Sequence, residues 1–253
     1  MLLKDKVAIV TGGGQGIGEG IVNCFAREGA KIVVVTRSEK SSRPVADRVN
    51  ANGGTAVWFA ADVTKPEDVT AMVDFAVKTY GRLDIACNNA GRLGNPRNVA
   101  ELPAEELDEV MDLDLRGTFL CCREEIQAMR KTGGGAIVNI SSVSGLHGNV
   151  GLSSYNMAKH AVLGLTRAAA LEEIANNIRI NAVCPGAIMT PLQEEFKKND
   201  PIGFEETLRK SNIPVGRMGT PEEVGNVVAF LCSDMASYMV GSAVVVDGGV
   251  MAQ

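Results

Sequence analysis

Short apolar runs rich in β-branched residues alternate with helical stretches along almost the whole of this chain, and that alternation leaves it very few architectures. Runs of strand length fall at 7–10, 32–35, 56–60, 83–87, 136–140, 178–183 and 243–246, and several are apolar without a break. A strand with one wet face alternates apolar and polar residues, whereas an uninterrupted run belongs to a parallel strand covered on both faces. Helices are expected between them at about 16–29, 66–80, 104–131, 153–175 and 221–232. The last opens on Thr220-Pro221-Glu222-Glu223, a helix-start signal. The expected fold is α/β: one doubly wound parallel sheet of about seven strands with helices on both faces. At 253 residues and 45% apolar content, the chain can build one sizeable core and is short for two full domains, so 1–253 is expected to be a single domain.

One segment breaks the rhythm. Between Thr190 and Pro214 there is no strand, charges are dense, and Leu192, Phe196, Ile202, Phe204, Leu208 and Ile213 are interspersed among them. It follows the carboxyl end of the sixth strand, where open parallel sheets bind ligands. A substrate lid at about 190–214 is expected.

Thr11-Gly12-Gly13-Gly14-Gln15-Gly16-Ile17-Gly18 joins the first strand to the first helix. Bare backbone and a helix N-terminus then face whatever binds there, which suits a pyrophosphate and makes the sheet Rossmann-type. The glycines at 12, 16 and 18 depart from the common dinucleotide spacing. At the end of the second strand, a carboxylate would select a ribose 2′-hydroxyl and an arginine a 2′-phosphate. The sequence there is Thr36-Arg37-Ser38: Arg37 offers a planar donor fork and Ser38 a further hydrogen bond, so NADP(H) is favoured. NAD(H) stays possible if Glu39 reaches back to a 2′-hydroxyl.

Tyr155 and Lys159 are four apart on a helix and share a face. An ammonium beside a phenol stabilises the phenolate, each tenfold gain taking about 1.4 kcal/mol, and a cationic nicotinamide adds to the effect. Tyr155 can then act as general acid or base. With Ser142 thirteen positions upstream, these residues describe a nicotinamide-dependent oxidoreductase of carbonyls and alcohols. His147 lies in the intervening loop, where it can touch substrate; His160 is expected to be packed or solvated.

Composition excludes other classes. A net charge of −5 without a lysine/arginine block argues against nucleic acid or anionic membrane as partner. No apolar run reaches bilayer length and residues 1–6 lack an apolar signal-peptide core, so a cytoplasmic protein is expected. The six cysteines form no Cys-x-x-Cys pair and read as buried thiols; neither histidine has metal-ligand spacing, so no metal site is expected. The acidic run Glu101, Glu105, Glu106, Asp108 and Glu109 reads as a solvated helix start.

Over essentially its whole length the chain resembles the short-chain dehydrogenase/reductase family. The resemblance rests on the Thr-Gly-x-x-x-Gly-x-Gly turn, Asn88-Asn89-Ala90-Gly91 after the fourth strand, Ser142, Tyr155-x-x-x-Lys159, Pro185-Gly186 and Asp247-Gly248-Gly249. It implies that Ser142 hydrogen-bonds the substrate oxygen, Tyr155 transfers the proton, and Lys159 stabilises the phenolate and holds the nicotinamide ribose. It implies cofactor contacts at Gly12, Gln15, Gly16, Ile17 and Gly18, at Asp62 and Val63 by the adenine, at Asn89 and Gly91 by the adenosine ribose, and at Pro185, Gly186, Ile188 and Thr190 by the nicotinamide. It also implies a homotetramer paired through the two long central helices. Among alternatives, a 3-oxoacyl thioester reductase would draw on Lys197-Lys198, Arg209-Lys210 and Arg130-Lys131 to meet an acidic carrier, and a catalytically weak cofactor-binding member is a third. In one place the chain departs from the family: Asp114 stands three residues before Gly117 where asparagine is usual, and joins the candidate catalytic group. An ionised carboxylate accepts hydrogen bonds but cannot donate them, so either a donor contact is lost or Asp114 is protonated. Near Lys159 an ionised Asp114 would raise the lysine pKa and weaken its pull on Tyr155. In the family, the asparagine fixes a helix kink whose backbone carbonyl holds a proton-relay water, and the resemblance implies that this relay survives here, since backbone holds the water.

Overall fold

The computed structural model describes the backbone of residues 1–253 and every side chain except those of Leu192, Thr207 and Lys210; the expectations for the Leu192 and Lys210 side chains lie outside the described residues. Seven strands, β1 (Val7–Thr11), β2 (Lys31–Thr36), β3 (Thr55–Ala60), β4 (Ile85–Asn88), β5 (Gly135–Ile140), β6 (Ile178–Pro185) and β7 (Ala243–Val246), form one sheet in the order 3-2-1-4-5-6-7. Every neighbouring pair is parallel. Their carboxyl ends therefore gather along one edge, and the order reverses between β1 and β4, which opens a crevice there.

Successive residues of each strand feed two apolar layers. Ala8, Val10, Ile32 and Val34 pack with Ile21 and Phe25 of α1 (Gly16–Arg27), Val45 and Val49 of α2 (Glu39–Ala51), and Val224 and Val228 of α9 (Pro221–Cys232). Ile9, Val33 and Val35 face the other way, onto Met72 of α3 (Pro66–Tyr80), Leu120 and Met129 of α5 (Thr118–Thr132), and Ala169 and Ala170 of α6 (Ser153–Glu173). This double covering is why the strands read as unbroken apolar runs. A fully buried side chain such as Phe25 or Met72 contributes roughly 1.5–3 kcal/mol.

Two elements differ from the sequence expectation. Helix α2 was not anticipated, because Pro44 inside it removes one backbone donor and its composition is polar. Burial of Val45, Ala46 and Val49 and the Arg43 pairs with Glu39 and Asp47 hold it helical all the same. The expected long helix at 104–131 is also not uniform: α4 (Ala104–Val110) passes through a π-helical segment, Met111–Gly117, before α5 begins. Single π-turns of this kind concentrate at functional sites, and Asp114 lies within this one.

The 190–214 segment contains no strand. It folds as two helices, α7 (Pro191–Asn199) and α8 (Pro201–Lys210), which follow the carboxyl end of β6. Phe196 and Phe204 meet edge to face at 5.9 Å, around a small core of Phe204, Ile213 and Met218.

Candidate active site

The glycine turn lies at the switch point of the sheet. Gly12 and Gly16 have φ of +64° and +54°, a region a side chain resists, and a Cβ on Gly18 would lie 2.1 Å from the Gly12 carbonyl oxygen. Gln15 sits at the start of α1 in extended conformation, and no side chain caps the first turn. The free N–H groups of that turn and the helix dipole are what a pyrophosphate needs, so the residues present fit a dinucleotide. Ile17 packs back onto the apolar layer.

Asn89 holds this turn in place. Its Nδ2 donates to the carbonyls of Thr11 (3.0 Å) and Gly12 (3.2 Å), while Thr11 Oγ1 accepts from the Asn89 and Ala90 N–H groups. The side chain assigned by resemblance to the ribose wall is thus engaged in tying β4 to β1, and Gly91 beside it covers Asp114. At the far end, Arg37 and Ser38 follow β2 in exposed positions. Glu39 is committed to Arg43 at 2.7 Å, and Arg37 forms no ion pair among the described residues. Asp62, half-buried next to buried Val63, accepts from the N–H and hydroxyl of Thr64. Partial burial opposes its charge, but Thr64 and the nearby Lys65 and Arg37 hold its carboxyl below the usual range.

The catalytic candidates come from β5, the π-segment and α6. Ser142 follows β5; its Oγ accepts from the Ser144 N–H at 3.1 Å, which leaves its own proton free to donate. Ser141 Oγ donates to the Lys159 carbonyl at 2.9 Å, and a Cβ on Gly145 would lie 2.8 Å from that same oxygen. The loop bearing Ser142 is therefore seated directly on the helix bearing Tyr155 and Lys159. Sequence reasoning missed Ser141 and Gly145; the adjacency of Ser141 to Ser142 was the only signal.

Lys159 is buried, with Nζ 5.4 Å from the Tyr155 ring centroid, 3.1 Å from the Ile140 carbonyl oxygen and 3.1 Å from Asp114 Oδ2. Burial works against its charge, but Tyr155 and the Asp114 carboxylate outweigh it and hold its pKa above the ordinary lysine value. Asp114 has no exposed surface; its Oδ1 accepts from the Arg92 N–H at 2.8 Å, and its carbonyl accepts from Thr118 Oγ1 at 2.8 Å. The His147 ring Nδ1 lies 3.0 Å from the Gly148 carbonyl oxygen, and His160 Nδ1 is 2.8 Å from that of Asn156.

On the β6 side, Gly186 N–H donates to Val246 and packs against Asp247, fixing the chain after Pro185. Ile188 is buried and bridges to Gly219. Thr190 opens α7 beside the glycine turn, its Cγ2 3.4 Å from where a Gly16 Cβ would be. The turn and the 190–214 helices therefore share one wall.

Comparison with known proteins gives this arrangement its kin. A family model described as enoyl-(acyl carrier protein) reductase matches residues 12–251. The cyclohexanol dehydrogenase of Acinetobacter sp. (strain SE19) is 44% identical over 245 residues, covering 97% of this chain and 94% of that protein. The A-factor type gamma-butyrolactone 1'-reductase (1S-forming) of Streptomyces virginiae is 41% identical over 253 residues, covering 98% and 96%. Among solved structures, levodione reductase superposes with a TM-score of 0.92 at 38% identity, over 99% of each chain. Fold and kinship together define the class as an oxidoreductase on a Rossmann-type sheet that uses a nicotinamide cofactor. The chain belongs to the short-chain dehydrogenase/reductase family.

Proposed function

We propose that this protein interconverts a secondary alcohol and a ketone with NAD(P)(H), Tyr155 serving as general acid and base. The observation that carries the reading is the buried Lys159 ammonium beside the Tyr155 ring, on a helix tied through Ser141 to the Ser142 loop. The nicotinamide supplies or accepts the hydride. Tyr155 gives its proton to the substrate oxygen in reduction and takes it back in oxidation, while Lys159 stabilises the phenolate left behind. Ser142, oriented by the Ser144 N–H, donates to the same oxygen. The glycine turn holds the pyrophosphate, and Asp62, Val63, Asn89, Gly91, Pro185, Gly186, Ile188 and Thr190 line the rest of the cofactor path.

NADP(H) is favoured: Arg37 is exposed and forms no ion pair among the described residues, and Glu39, the carboxylate two residues on, pairs with Arg43. Helices α7 and α8 act as the substrate lid. Phe119 on α5 and Met157 and Leu171 on α6 are exposed apolar residues, which supports a homotetramer paired through these helices. No helix among the described residues is long and apolar enough to cross a membrane, in keeping with a cytoplasmic location. A 3-oxoacyl thioester reductase is the second reading; the description of the matching family model shares with it an acyl-carrier substrate, but names reduction of an enoyl double bond and not of a 3-oxo group. The reading is weakened because Arg130, one of the cations it would use, is paired with Glu173.

The test is a fluorescence titration with NADPH and NADH, then turnover against ketones, diketones and acyl thioesters, and oxidation of cyclohexanol, the alcohol in one relative's name. Tyr155→Phe should lower turnover of the accepted class by at least about 100-fold while the cofactor still binds. Equal turnover in the variant would overturn the assignment.

A further inference from the structure

We propose that Asp114 is a positioning residue that sets the charge of this site, its buried carboxylate pairing with Lys159 so that the oxidised nicotinamide is not disfavoured relative to the reduced one. The inference rests on the cofactor reading above.

Its basis is the manner in which the carboxylate is held. Asp114 Oδ2 lies 3.1 Å from Lys159 Nζ as an ion pair and has no hydrogen-bond partner among the described residues. Oδ1 is occupied by the Arg92 N–H, the Asp114 carbonyl by Thr118 Oγ1, and Gly91 lies so close that a Cβ there would be 3.0 Å from Oδ2. The carboxylate is sealed from solvent, so its field is poorly screened. Its contact with the ammonium is direct, where the family's asparagine would contribute no charge. The other titratable groups facing the ammonium are Tyr155 on the same helix and Cys184 on β6, the latter a thiol pushed up by burial.

An ammonium standing alone repels a cationic ring and is indifferent to a neutral one. With Asp114 beside it, the opposite charge of the carboxylate offsets much of that repulsion. Lys159 spends one donor on the Ile140 carbonyl, which leaves donors for a ligand in either redox state. Hydrogen bonding is thus the same for both cofactor forms, and only the charge of the site distinguishes them.

Asp114→Asn keeps the volume and the Oδ1 acceptor for Arg92 but removes the charge; Asp114→Ser removes it in a smaller side chain. Oxidised and reduced cofactor are titrated separately into the native protein and both variants by calorimetry, with circular dichroism to verify folding. The ratio of the Kd for oxidised to that for reduced cofactor should rise about tenfold in the variants. An unchanged ratio, whether both affinities persist or both fall together, would overturn the proposal, since a purely structural role moves the two alike. Failure of the native protein to bind either form would overturn the cofactor reading itself, and this proposal with it.

Discussion

Arg37 and Asn89 show how differently two polar side chains can be used at the ends of the two strands that flank β1. Asn89 spends its amide on the Thr11 and Gly12 carbonyls, so its work is internal, whereas Arg37 stands exposed with no ion-pair partner among the described residues. Arg37→Ala should therefore weaken NADPH binding by about tenfold or more while leaving NADH nearly unchanged, read by titrating each; equal losses would remove its role in selection. Lys159 near Tyr155 was legible because both lie on one helical turn, and spacing alone fixes that geometry. The Asn89 bonds and the pairing of Asp114 with Lys159 were not legible at the level of atoms, because they cross between elements that only the completed sheet brings together.

Helix α9 begins as its sequence announces. Thr220 Oγ1 accepts from the Glu223 N–H, Glu223 returns a bond to the Thr220 N–H, and Arg217 clamps the same carboxylate. Arg217 first, then the Thr220 N–H, hold the Glu223 carboxyl down at about 2. Its folded pKa is lower than its unfolded one, so the contribution is complete above about 4.5 and is lost as pH falls toward about 2. Thr220→Ala should cost about 1 kcal/mol at neutral pH in urea unfolding. In Glu223→Gln the loss of stability across that acid window should be smaller than in the native protein. Such local chemistry is readable in four residues. Helix α2 is the opposite case, since Pro44 speaks against a helix and only burial against the sheet decides for one. The π-segment was equally hidden: its extra residue per turn leaves no mark on the apolar periodicity.

Across the whole molecule, the parallel sheet and its double covering followed from alternation, while the polar cluster inside the core did not. Glu125 is buried on α5 with Asn88 Nδ2 at 2.9 Å, near Cys122 and Asn139, and its Oε1 and the Asn88 Oδ1 have no partner among the described residues. Burial, only partly offset by Asn88, pushes its carboxyl up to about 8. A protonated carboxyl supplies a donor in a cluster short of them. Between about 4.5 and about 8 the folded protein thus keeps a proton that the unfolded chain has released, and stability falls as pH rises through that window. Glu125→Gln should flatten the decline, by on the order of a few kcal/mol at the alkaline end, in unfolding measured from pH 5 to 8.

The close seat of α1 on α9 has a consequence for how the protein is made. Gly20 is pressed against Pro221 and Gly225 against Cys24, so the apolar face of α1 is covered by a helix that follows five further strands in the chain. At about 5–20 residues per second on the ribosome, α1 waits roughly 10–40 s for its cover. Through that interval Ile21, Val22 and Phe25 remain partly open to solvent, and the nascent chain is a client for whatever chaperone shields apolar surface until synthesis reaches α9.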